Sequence, residues 1–174
     1  MNYLISDPVG IDYIIAEIQT KLYDTLSASW GVDLNGYPRC YYIKGVDKKT
    51  ISHYVGKKEY KSLVHSEGNK FFFTAEKDET ATTNGFYKTD IEIYFMVDLS
   101  LCKPSSLHRA DNEVRIDVVN ILDTISGIEV THVMKRKDDI FNNVDFTLVT
   151  DVHPYHCFKI RCNVLEYELN TQYC

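Results

Sequence analysis

The chain predicts an α+β fold, two helices packed on one face of a mostly antiparallel β-sheet. Three observations lead there. An apolar stripe at helical spacing runs through the first thirty or so residues, a second follows Pro104, and segments of alternating apolar and polar residues lie between and after them. With 174 residues, no repeat, no low-complexity tract and no linker, the chain fits one domain over 1–174, with a long loop or hairpin extension at about 76–86. A domain of this size buries about 70% of its unfolded surface and needs no covalent staple.

The first helix is expected over residues 7–27, ending near 27–30. Ser6 or Asp7 can accept from its free amide groups, and Pro8 sits where a missing N–H costs nothing. Ile11, Ile14, Ile15, Ile18, Leu22 and Leu26 form its stripe, with Glu17, Gln19, Lys21 and Asp24 off it and Gly31 as terminator. A strand over 37–46 is entered through Asn35, Gly36 and Pro38, read as turn residues. Further strands are expected at 51–55, 63–65 and 71–75, and the polar run 76–85 reads as a hairpin tip or long loop. The clearest strand is 86–99, where Ile91, Ile93, Phe95, Val97 and Leu99 alternate with Glu92, Tyr94, Met96 and Asp98. Its second face is polar or aromatic, which fits a sheet covered on one side only.

The second helix should start after Pro104, capped by Ser105 or Ser106, and run to Ile125. Ala110, Val114, Val118, Ile121, Leu122 and Ile125 lie inward and Gly127 stops it. Strands at 129–135, 146–152 and 158–169 close the chain, with Asn142 and Asn143 turning between the first two. In the last, the apolar phase Phe158, Ile160, Cys162, Val164 slips to Leu165, Tyr167, Leu169, the signature of a β-bulge.

Composition narrows the function. The apolar share of 44% and charged share of 25% are those of ordinary globular chains. A net charge of −6 argues against a general nucleic-acid binder, which needs a positive surface to displace counterions. Neither an apolar run of about 18 residues nor a secretory signal occurs. Five cysteines at irregular spacing, Cys40, Cys102, Cys157, Cys162 and Cys174, read as free thiols of a reducing compartment.

No motif announces a chemistry. His153, His156 and Cys157, with Cys162 beyond, offer zinc-type ligands, yet Cys157 and Cys162 fall on opposite faces of a continuous strand. The plainer reading is a turn with two histidines and a half-buried cysteine; neither a metal nor a cofactor is expected. Cys157 with His132 or His153 lacks the local signature of an activated thiol. The acidic pairs Asp90 with Glu92, Asp111 with Glu113 and Asp117, and Asp138 with Asp139 read as solvated faces. Phosphate-binding glycine runs and the nucleophile elbow are absent, so no catalytic residues are assigned. One local asymmetry stands out. Lys44, Lys48, Lys49, Lys57, Lys58 and Lys61 are opposed only by Asp47 and Glu59, with Tyr41, Tyr42, Tyr54 and Tyr60 interleaved. The stretch reads either as the lining of a channel that passes nucleic acid or as a lysine-decorated edge strand.

The order helix, strands, helix, strands, opening with Asp7-Pro8 to Trp30-Gly31 and then Tyr37-Pro38-Arg39, resembles phage neck and tail-completion proteins of the tail-terminator type. Rich use of Asn, Tyr, Lys, Ile and Asp resembles virion proteins of AT-rich phages, most narrowly the crAss-like group. The resemblance is one of layout and carries over no catalytic or binding residue. It implies a non-enzymatic structural virion protein, assembled in the host cytoplasm as a homo-oligomeric ring of the neck or tail, in a connector or tail-terminator role. Its partners would be other neck, tail or portal-side proteins, with no membrane. The six lysines would then face either DNA in the channel, contacted non-specifically, or the adjoining ring. Two alternatives stay open: a small protein- or ligand-binding module without catalytic activity, and a hydrolase or thiol enzyme around residues 153–162.

Overall fold

The computed structural model describes residues 1–44, 49–57, 59–63, 68–82, 85–141 and 152–168. Helix α1 (Ile11–Trp30) is followed by β1 (Leu34–Lys44), β2 (Lys49–Gly56), β3 (Glu59–Ser62), β4 (Asn69–Thr74), β5 (Thr80–Ala81) and β6 (Phe86–Asp98). Then come α2 (Leu99–Cys102), α3 (Asp111–Leu122), β7 (Ile128–Met134), α4 (Lys137–Ile140) and β8 (Tyr155–Glu168). The strands form one mixed sheet in the order β3-β2-β1-β4-β6-β8-β7, with β5 on β6. Among the described strands β1 and β4 run parallel and the other pairings are antiparallel, so the α+β, mostly antiparallel expectation holds. Among the described residues no helix is long and apolar enough to cross a membrane.

The principal core forms where α1 and α3 lie on one sheet face. Ile15, Ile18, Leu22 and Leu26 meet Phe71 and Phe73 of β4, Ile91, Ile93 and Phe95 of β6, and Phe158 and Ile160 of β8. Stacking of Phe95 on Phe158, ring centroids 4.7 Å apart, joins the long strands β6 and β8. The helices are tied by Asp117 of α3, which accepts from Trp30 Nε1 at 2.7 Å and pairs with Lys103 at 2.7 Å.

Helix ends depart from expectation. Helix α1 starts at Ile11 behind Gly10, with no side-chain cap, because Asp7 is already in the left-handed region at φ 51° and the chain turns before it coils. Its end at Gly31 (φ 64°) is as expected, the glycine N–H donating to Ser27 O. Helix α3 begins at Asp111, not at the serines, since Ser106 spends its hydroxyl on His108 O; it ends at Leu122, before Ile125. Helix α2 is a single extra turn capped by Asp98, whose carboxylate accepts from Ser100 N at 2.9 Å.

Asn35, Gly36 and Pro38 lie inside β1 rather than ahead of it. Gly36 is there because the amino-terminal segment crosses it: Tyr3 N donates to Gly36 O and Gly36 N to Met1 O. A Cβ at Gly36 would lie 2.8 Å from Phe71 Cζ and 2.9 Å from Asn2 Oδ1. Gln19, expected off the helix stripe, is fully buried and donates through Nε2 to Asn2 Oδ1, Tyr3 O and Gly36 O. A buried amide is tolerated because it binds this segment to the helix.

The expectation of a sheet covered on one side only is overturned. A second cluster on the opposite face gathers Tyr37, Cys40, Ile51, Phe72, Tyr94, Ile140, Phe141 and Cys157. Tyr94 is fully buried, stacked on Phe72 at 4.9 Å and facing Phe141 at 6.0 Å. The cover comes from α4, one turn too short to show a helical period, which sets Ile140 and Phe141 on the sheet. The bulge in β8 is where the phase slip put it: Tyr87 faces Tyr167 but Thr89 faces Val164, so β8 holds the extra residue, and Leu165 and Glu166 are both exposed. Residues 76–82 fold back as a hairpin extension, β5 pairing with Tyr87 and Lys88. The strand over 63–65 gives way to β3; the rest of that segment, the turn at 142–143 and the strand expected at 146–152 lie outside the described residues, apart from Leu63 and Val152, which are not in strands.

Candidate assembly interface

Strands β1, β2 and β3 extend the sheet sideways past the helix-covered core. In this wing Tyr54 faces Tyr60 across the β2–β3 pair, and Tyr41 lies opposite Ser52, bringing three rings together on one face. Tyr54 and Tyr60 centroids are 5.3 Å apart and Tyr41 and Tyr60 6.0 Å, with the Arg39 guanidinium 5.4 Å over Tyr41. All three tyrosines remain exposed, at 37–48%. Rings that touch one another yet keep so much surface in water form a rigid amphipathic patch, the composition enriched in protein interfaces.

Of the six sequence-predicted lysines, Lys57 and Lys61 are exposed on this wing and neither is ion-paired among the described residues. Lys44 and Lys49 face each other at the last register position of the β1–β2 pair. Lys48 and Lys58 lie outside the described residues. Strand β3, which carries Lys61, is the outermost of its side of the sheet.

Behind the wing, an open groove of about 700 Å³ separates it from the amino-terminal segment, with Tyr3, Leu4, Tyr37, His53, Tyr54 and Lys61 among its walls. Tyr3 stacks on Tyr37 at 4.7 Å and His53 meets Tyr37 edge-on at 4.9 Å. Burial, then the nearby Lys61 charge, lowers the His53 pKa, so the ring enters neutral pH uncharged.

The residues weighed for metal or thiol chemistry are not brought together. His156 is buried under α3, where Arg115 Nη1 donates to its Nε2 at 2.9 Å and Arg109 Nη2 lies 3.4 Å from its Nδ1. Two guanidinium groups facing one ring disfavour a cation there. His153 is exposed, Cys157 belongs to the outer cluster and Cys162 to the helix-side core, as strand alternation required. Cys157 is buried rather than half-buried, as are Cys40, Cys102 and Cys162. Burial pushes the Cys102 and Cys162 thiols up to about 12 and Cys40 higher still, the reverse of an activated nucleophile.

Glu92 was expected on a solvated face, and the structure corrects this. Its carboxylate accepts from Arg161 Nη2 at 2.7 Å and Nε at 3.2 Å, from Lys159 Nζ at 3.1 Å and from Tyr94 Oη at 2.7 Å. Tyr42 Oη lies 2.6 Å from Tyr94 Oη and extends the chain of hydroxyls to β1. Burial alone would raise the Glu92 pKa; hydrogen bonds from Arg161 and Tyr94 and the charge and hydrogen bond of Lys159 outweigh it and leave the group below the usual carboxylate range. The sequence signal was present: Glu92 and Tyr94 share a face of β6, and their register partners Arg161 and Lys159 share the same face of β8. Asp111 and Asp117 are likewise engaged, with Arg115 and with Trp30 and Lys103. Buried Lys70, whose pKa falls to about 8 chiefly by burial, gave no sequence signal.

No family model and no curated protein matches the chain.

Proposed function

We propose that this protein is a non-catalytic assembly module that multiplies into a ring, and in its narrowest form a neck or tail subunit of the tail-terminator type. The observation that carries the reading is the wing: Tyr60 touching both Tyr41 and Tyr54, all three exposed, beside Lys57 and Lys61, which have no ion pair among the described residues, on a part of the sheet that projects beyond the core. Aromatic anchors beside unneutralised charge suit a protein partner, and the buried thiols and guanidinium-flanked His156 offer nothing to a substrate. The element order of the family that the sequence resembles supports the virion setting. The six-lysine stretch would meet a neighbouring ring or the DNA it encloses.

Mass by light scattering across concentration, with negative-stain imaging, tests this directly. Rings of defined copy number are expected, and replacing Tyr41, Tyr54 and Tyr60 by Ser should lower the mass while circular dichroism shows the fold retained. Multimers that ignore the triple substitution would remove the wing from the interface. A second reading rests on the groove, whose volume lies within the ~300–1,000 Å³ typical of ligand sites. A monomer that carries a small molecule into native mass spectrometry would favour that binding module.

A further inference from the structure

Charge is distributed unevenly across this sheet. Residues 44–61 hold six lysines against Asp47 and Glu59, in a chain whose overall net charge is −6, so the remainder is more acidic than the whole. The opposite sheet edge shows where some of that acidity lies. At the corner where β7 begins and β8 ends, Glu129, Glu166 and Glu168 are all exposed. Leu165 N donates to Gly127 O at 2.9 Å and Glu129 faces Asn163, which draws the β8 bulge and the start of β7 into one surface. None of these three carboxylates has a hydrogen bond or ion pair among the described residues, and the same holds for Lys57 and Lys61. By contrast Arg39, Lys77, Lys103, Arg115, Lys159 and Arg161 are all paired within the chain.

We infer that the partner of the basic edge is the acidic corner of a second copy of this chain, joined head to tail. The strand order sets β3 and β7 at opposite ends of the sheet, six inter-strand steps or ~29 Å apart. Complementary patches at opposite ends cannot neutralise each other within one molecule. They satisfy each other between molecules through a heterologous contact, the type that closes into rings or extends into filaments. Each side also carries apolar surface for the centre of such a contact: Tyr54 and Tyr60 on one, Leu165 at 45% exposure on the other. Lys88, exposed opposite the bulge, reduces the negative balance of the corner without reversing it. This assignment rests on the ring reading and names its two surfaces.

Two charge-reversed proteins test it, one with Lys57→Glu and Lys61→Glu, the other with Glu166→Lys and Glu168→Lys. Circular dichroism and melting temperature establish that both fold. The wild-type chain should multimerise at low salt and dissociate as salt rises. Each variant alone should self-associate about a hundredfold more weakly, because like charges then face each other. Their equimolar mixture should recover the wild-type mass, since a reversed edge meets a reversed corner. Wild-type chain that multimerises while both variants match it overturns this inference and leaves the ring reading standing. A wild-type monomer at every concentration and salt overturns both. Unchanged multimers together with loss of salt-dependent duplex DNA binding in the Lys57/Lys61 variant would assign the basic edge to nucleic acid instead.

Discussion

Replacing Glu92 by Gln removes the one carboxylate shared by Lys159, Arg161 and Tyr94 on the outer face of the sheet. The cost can be bracketed from exposure. Side chains of Lys159, Glu92 and Arg161 are 7%, 21% and 28% exposed, so the cluster lies between a buried and a surface ion pair. Removing one partner of a buried pair costs about 3–5 kcal/mol, and an exposed pair is worth about 0–1. Glutamine keeps one acceptor for Tyr94 or Arg161 but leaves the Lys159 ammonium without a counter-charge among the described residues, which places the loss at about 3 kcal/mol. For a chain of this length that is a melting-temperature fall of about 6–12 °C. In urea the midpoint should drop with an unchanged slope.

The pH dependence of the same variant is a second readout. The folded-state pKa of Glu92 is depressed, so its stabilisation is fully present above the unfolded-state value and is lost as pH falls through the folded value. Wild type should therefore approach the variant in acid, and the gap at neutral pH should shrink below about pH 4. A neutral-pH loss under about 1 kcal/mol would refute the account of Glu92 as the hub of this cluster. So would a gap that stays constant into acid.

Three further outcomes follow from packing and burial. Gly36→Ala forces a methyl group against the Phe71 ring and the Asn2 side chain, and should cost about 1–3 kcal/mol in urea unfolding. Phe141→Ala uncovers Tyr94 and opens the outer cluster, with an expected loss of about 3 kcal/mol; little change would mean that the second face needs no cover. In a Cys174→Ser background, iodoacetamide at neutral pH should leave the folded protein unmodified, while denatured protein takes up four equivalents, one for each buried thiol. Rapid modification of any one in the native state would reopen a thiol chemistry.

Local pattern made much of the fold legible. The stripe from Ile11 to Leu26 specified α1, the alternation through Ile91, Ile93, Phe95 and Val97 specified β6, and the slip after Val164 located a bulge. Other features depended on partners far away in sequence. Gln19 is polar and lies off the helix stripe, yet it is buried because the chain around Asn2 and Tyr3 crosses Gly36 beside it. Tyr94 resembled a solvent-facing residue in its strand until Phe72, Phe141 and Tyr42 surrounded it.

The sequence by itself determined which residues of each element share a face, because side-chain direction repeats every 3.6 residues in a helix and every two in a strand. It also revealed the cluster of lysines and tyrosines between Tyr41 and Lys61. What only the tertiary structure decided is where those faces lie in the sheet. Strand order is set by long-range pairing that leaves no period in the chain. That order puts β3 with Lys61 at one end and β7 with Glu129 at the other, a separation of charge that no local pattern in the chain announces.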